Sequence, residues 1–158
     1  MTKLVITKNS KGIIETNGIY KLDGDLITKG HLIIELDGWL VVSGGIKAGC
    51  GIKAGCGIEA GSGIEAGWGI KAGRGIEAGW GIEAGSGIKA GSGIEAGSGI
   101  KAGLSISCSC EISFALQLFA GICTWRKTTV ADKVIKCLKI EGGGVVEYGT
   151  VVLVKEKE

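Results

Sequence analysis

The sequence predicts an all-β fold: a single-domain parallel β-solenoid, or β-helix, built from six-residue I-x-A-G-x-G repeats, three-sided, with a β-rich C-terminal cap. Three observations lead to the solenoid and its cap, though not to the number of its sides. The hexad recurs without a gap from Ile46 to Leu104, the chain holds 31 glycines and no proline, and looser apolar-polar alternation flanks the hexads on both sides. Boundaries follow the composition: residues 1–44 read as an N-terminal cap and irregular coils, 45–104 as the regular solenoid and 105–158 as the cap. All three belong to one folded unit.

Residues 1–11 suggest an edge strand or cap. From Gly24 the punctuation x-G-x-aliphatic begins, at Asp23-Gly24-Asp25-Leu26, Lys29-Gly30-His31-Leu32, Asp37-Gly38-Trp39-Leu40 and Ser43-Gly44-Gly45-Ile46. The spacing of the aliphatic residue is six, then eight, then six. Residues 12–44 therefore read as earlier coils of the same solenoid, with a two-residue insertion near Ile34.

In each hexad Ile and Ala flank a Lys or Glu, and an apolar-charged-apolar triplet is strand periodicity with the charge turned outward. A helix would carry two glycines in every six residues, at roughly 1 kcal/mol each. The G-x-G is expected to turn the corner by taking positive φ, which a Cβ resists. Strands this short bury a core only when stacked, each on its equivalent one coil away, about 4.8 Å off.

The number of hexads per coil follows from neither composition nor length. From Lys47 to Lys101 the charges run K K E E K E E K E K. Two hexads per coil make five of eight stacked pairs opposite in sign and set Trp68 beneath Trp80; three make only two of seven opposite. Three hexads line Lys53, Lys71 and Lys89 along one face and Glu59, Glu77 and Glu95 along another, which suits rods lying side by side.

The G-x-L-x-V-x-G style of residues 24–46, running into I-K-A-G hexads, resembles the bactofilins, bacterial polymer-forming cytoskeletal proteins. The resemblance covers about residues 12–104. It implies a three-sided right-handed β-helix and end-to-end polymerisation, and it weighs toward three hexads per coil. The unbroken hexads and the long C-terminal part depart from that family's pattern.

After Leu104 the residues alternate strictly, with Leu104, Ile106, Cys108, Cys110, Ile112, Phe114 and Leu116 on the apolar side. The run is long for one strand and predicts a bend or a wider coil. Phe114, Leu118, Phe119 and Trp125 supply bulk for a cap. Thr129-Val130-Ala131-Asp132 suggests a short helix, Val134-Ile135 a return to strand, and Glu141-Gly142-Gly143-Gly144 with VVEYGTVVLV a closing hairpin before a charged, solvated KEKE tail.

A net charge of +2 points to neither nucleic acid nor an anionic membrane, and Glu is as common as Lys along the rod. MTKLVITKNSKG lacks the apolar core of a signal peptide and no apolar run reaches membrane-span length, so a cytoplasmic protein with reduced cysteines is expected. Cys108, Cys110, Cys123 and Cys137 are spaced unlike the ligand pairs of a zinc site, and Cys108 and Cys110 fall on the apolar side as core thiols. His31, the only histidine, sits in a turn-like element and reads as a solvated loop residue rather than a base. Hexapeptide acyltransferases share the period, but place a small residue where this chain has Lys or Glu. The expectation is no enzyme, no cofactor and no metal.

The informative exceptions stand at the x of G-x-G, where serine is the neutral choice: Trp68, Arg74 and Trp80 are residue types favoured at interface centres. With Lys53, Lys71 and Lys89 they are the candidate partner-binding residues. The expected function is a rigid scaffold or protein-interaction module, self-assembling or binding a protein partner. The alternative is a small phage- or mobile-element-type inhibitor that blocks a host defence or nucleic-acid enzyme.

Overall fold

In the computed structural model, which describes residues 2–155, the chain winds as a three-sided β-solenoid whose sheets hold eight, seven and eight strands. Ile64 pairs in parallel with Ile46 on one side and Ile82 on the other, so each strand stacks on the one three hexads away. Trp68 therefore does not stack on Trp80. The first face contains Ile52–Ala54, Ile70–Ala72 and Ile88–Ala90; the second Ile58–Ala60, Ile76–Ala78 and Ile94–Ala96; the third Ile46–Ala48, Ile64–Ala66, Ile82–Ala84 and Ile100–Ala102. Every hexad isoleucine is at most 2 % exposed, and each such burial stabilises by about 1.5–3 kcal/mol relative to leaving the side chain in water. Alanine fits beside it at the narrow ends of the strands.

The glycines work differently from the expectation. Among the described residues positive φ occurs at Asn17, Gly12, Gly18, Gly24, Gly121, Gly142 and Gly149, and at no glycine of the hexads. The first glycine of every hexad G-x-G except Gly55, which sits over the wider corner at Leu36, is instead a place of close approach. A Cβ on Gly67 would lie 2.2 Å from the Gly49 carbonyl oxygen, and one on Gly79 2.2 Å from that of Gly61. The corners stack so tightly that backbone lies on backbone, held by bonds such as Gly67 N–H to Ala48 O (3.0 Å) and Trp68 N–H to Cys50 O (3.2 Å). Steric room for the neighbouring coil, rather than backbone handedness, selects glycine there.

At the N-terminal end Lys3–Ile6 forms the edge strand of the first face, in parallel with His31–Ile34. Ile13–Thr16 and Ile19–Leu22 form an antiparallel hairpin, the one antiparallel pair among the described strands; the second strand pairs with Trp39–Val42 and the first is the outer edge of the second face. Asn17 and Gly18, both at positive φ, make the two-residue turn that asparagine-glycine favours. The insertion after Ile34 becomes a wider corner: Leu36 is buried in it, and the Tyr20 hydroxyl donates to the Asp37 carboxylate.

The C-terminal strands continue all three faces. Ile106–Ser107 and Glu111–Phe114 are separate strands on different faces, which is the bend that the long alternation required. The alternation restarts at each corner, so Cys110, whose N–H bonds to Ser92 O, and Leu116, bonded to Ser98 O, are exposed corner residues instead of core. Phe114 and Leu118 are buried as expected, but Phe119 is turned outward and Trp125 is 63 % exposed. The expected helix is a short 3-10 turn, Ala131–Lys133. The closing hairpin does not form. Val145–Tyr148 and Thr150–Leu153 belong to the third and first faces, joined by a corner at Gly149. Of the KEKE tail, Lys155 is exposed and residues 156–158 lie outside the described residues.

Candidate functional site

Each hexad strand has one outward side chain, so the order of Lys and Glu in the sequence becomes a pattern of faces. On the first face Lys53, Lys71 and Lys89 stand one above another, followed by Ser107 and Lys136. On the second, Glu59, Glu77 and Glu95 do the same, followed by Ser113 and Glu141. The third mixes the signs as Lys47, Glu65, Glu83 and Lys101, and there Lys47 Nζ meets Glu65 at 2.8 Å. The strands of the first face bring no carboxylate at all. Burial, and after it the like charges of Glu59 and Glu95 one coil to either side, push the Glu77 carboxyl upward.

The structure brings the three lysines together but distributes Trp68, Arg74 and Trp80 over three corners. Trp68 follows a third-face strand, Arg74 a first-face strand and Trp80 a second-face strand. They are neighbours along the chain without sharing a surface. Trp68 and Trp80 are 54 % and 68 % exposed, so neither is covered by a terminal segment.

A further tryptophan, Trp125, lies one coil above Trp68 in the same column of corners. Between Gln117–Ala120 on the third face and Val134–Cys137 on the first, residues 121–133 form a loop that lies over the rod. Cys123 N–H bonds to Gly103 O (2.9 Å), and the Trp125 indole N–H bonds to Gly85 O (3.4 Å), one coil above Gly67-Trp68. Asp132 holds the loop in shape, accepting from both Arg126 Nη atoms (2.9 and 2.8 Å) and from the Thr129 N–H and hydroxyl (2.7 and 2.8 Å). Those donors keep its carboxyl far below the usual range. The Arg126 guanidinium sits 5.4 Å from the Trp125 ring. The uninterrupted polar run T-W-R-K-T-T was the available signal that Trp125 stands on a loop, not in a core.

His31 begins a strand instead of lying in a solvated loop. Its Nδ1 accepts from Gly51 N–H (3.2 Å), and its ring meets Trp68 edge-on, with centroids 6.1 Å apart and planes at 83°. The four C-terminal thiols do not converge. Cys108 and Cys137 are buried, Cys110 is exposed at another corner and Cys123 stands half-buried at the start of the loop. Burial, with Cys137 close by, pushes the Cys108 thiol up to about 12, and burial raises Cys137 as well. Among the described residues no group of three or more His, Cys, Asp or Glu could hold a metal ion. A shallow channel of about 560 Å³ runs along the third face over Gly45, Gly63, Gly81 and Gly99, with Lys47 and Glu83 on its wall. What these surfaces offer is charge and aromatic area along a straight axis. No helix among the described residues is long and apolar enough to cross a membrane.

Comparison with protein-family models, with curated proteins and with solved structures finds no match.

Proposed function

We propose that the chain is a non-enzymatic rigid scaffold, an interaction rod that works by presenting ordered surfaces to copies of itself or to a protein partner. The observation that carries this reading is the sorting of outward charge by face. Hexads that share Ile, Ala and both glycines vary at the corner x and at the strand's outward position, and at the latter they build a basic face, an acidic face and a mixed one. Like charges stacked one coil apart are mildly destabilising, so the folded chain alone gives no reason for the arrangement. A stacked backbone with an Ile/Ala core supplies the stiffness. The test is light-scattering mass over a hundredfold range of concentration, with the same samples viewed by negative-stain microscopy. Growth into ordered assemblies is expected; a fixed single-chain mass at every concentration would overturn self-assembly.

A second reading, a compact inhibitor that blocks one surface of another protein, draws on one column of corners, where Trp68 stands one coil below Trp125 and its neighbour Arg126. Aromatic and arginine side chains held by a rigid loop are the usual centre of a heteromeric contact. It expects the fixed mass, and loss of the partner on Trp68→Ala or Trp125→Ala with the solenoid intact.

A further inference from the structure

We propose that the lysine face of one copy binds the glutamate face of a second copy, rod beside rod and rung against rung. This rests on the reading of the chain as an interaction rod and names its partner. The two ladders belong to the same coils: Lys53 and Glu59, Lys71 and Glu77, and Lys89 and Glu95 are consecutive hexads, each pair separated by one corner. Both ladders rise by the same inter-strand step, about 4.8 Å, because both are set by parallel pairing of identical Ile-x-Ala strands. Their spacings therefore match over the whole regular section without any adjustment of either rod.

Within one copy the ladders do not neutralise each other. The ion pairs among the described residues involve Lys47 with Glu65, Arg126 with Asp132, and Lys139 with Glu111 and Glu141; none uses the six ladder residues. The corner between the first and second faces keeps each lysine from the glutamate of its own coil. The strands of the first face hold no carboxylate that could substitute. A second copy brings the complementary column already spaced, and it separates each glutamate's neighbours with a cation.

The contact joins two different faces, so it is heterologous. Each copy that uses its lysine face leaves its glutamate face free, and the next copy adds there. Adjacent faces of a three-sided rod do not point in opposite directions, so successive copies turn about the rod axis. The product is a ring or an open sheet of rods rather than a closed pair.

The full chain is tested by sedimentation velocity at about 0.01 M salt, where screening reaches about 30 Å, and at about 1 M, where it reaches about 3 Å. Species that grow with concentration at low salt and revert to single chains at high salt are expected. Two triple variants follow, one carrying Lys53→Glu, Lys71→Glu and Lys89→Glu, the other Glu59→Lys, Glu77→Lys and Glu95→Lys. Each alone should lose association, by roughly 3- to 150-fold for three exposed pairs, and an equal mixture should restore it. Serine triples at the same positions guard against misfolding, since Ser107 and Ser113 already occupy these columns; they should also fail to associate. Assembly that persists in folded variants, or in high salt, would overturn the ladder pairing while leaving the scaffold reading standing. Folded variants that do not co-assemble would overturn it too. A wild type that stays single at low salt would remove both the pairing and self-assembly.

Discussion

Replacing Gly79 with alanine asks whether close stacking is what the repeat glycines provide. A Cβ at Gly79 would stand 2.2 Å from the Gly61 carbonyl oxygen and 3.1 Å from its carbon. Carbon and oxygen in favourable contact are about 3.3–3.6 Å apart, so the two coils must separate locally by about 1 Å. That separation stretches the bonds from Gly79 N–H to Ala60 O (2.9 Å) and from Trp80 N–H to Ser62 O (3.2 Å) beyond useful length. Two bonds at about 0.5–1.5 kcal/mol each, with about 1–3 kcal/mol of overpacking strain, oppose a gain of about 0.4–1 kcal/mol from a stiffer unfolded chain. The net expectation is a loss of about 1–5 kcal/mol. Urea unfolding followed by circular dichroism measures it, with Gly143→Ala as the control, since a Cβ there meets nothing within 4 Å. If the two variants unfold within about 0.5 kcal/mol of each other, the close-approach explanation of the hexad is wrong.

The glutamate ladder predicts that Glu77→Gln stabilises the rod by a few tenths of a kcal/mol in low salt, and less in high salt. Its raised carboxyl pKa means that the folded chain holds the proton more tightly, so this site's contribution to stability improves as pH falls through the folded value. Thermal melts at several pH values read both effects. Asp132→Ala should free the loop without melting the solenoid: trypsin should cut after Arg126 and Lys127 much faster, while the rod remains a resistant fragment. With Asp132 held far below its ordinary value of about 3.9, the wild-type loop should keep its protection as pH falls past that value and lose it only in stronger acid. The Tyr20 phenol, raised by its bond to Asp37 to about 12, should show a phenolate absorbance step there that falls toward 10 in Asp37→Asn. The stability that this bond confers is present in full from neutral pH to about pH 10, disappears as pH rises through 12, and is lost again in acid as pH falls through the lowered pKa of Asp37.

Much of this protein is legible because a repeat states each local decision ten times. Ile and Ala at alternate positions can only face inward together, and a hexad with two glycines cannot persist as helix, so strand, corner and solenoid follow from the residues alone. The bend in residues 104–116 was legible for the same reason, although which residues it exposes was not. Cys110 and Leu116 continue the alternation on paper, yet a corner resets the phase, and corners are placed by the coil beneath. The Asn17-Gly18 hairpin had a local signal and was readable in principle.

Tertiary structure alone decided everything that depends on what lies one coil away. The sequence presents Lys and Glu in an order that favours two hexads per coil by charge, and three by the faces it would build. Backbone pairing and the packing of three isoleucines around one axis outweigh exposed charges worth a few tenths of a kcal/mol each, so three prevails and the ladders result. The same stacking sends Trp68, Arg74 and Trp80 to separate corners and brings Trp125 onto the Gly85 corner, one coil above Trp68, from a loop 40 residues further along the chain. It also explains why glycine is required: the restriction comes from a carbonyl of another coil, which no local reading of G-x-G contains.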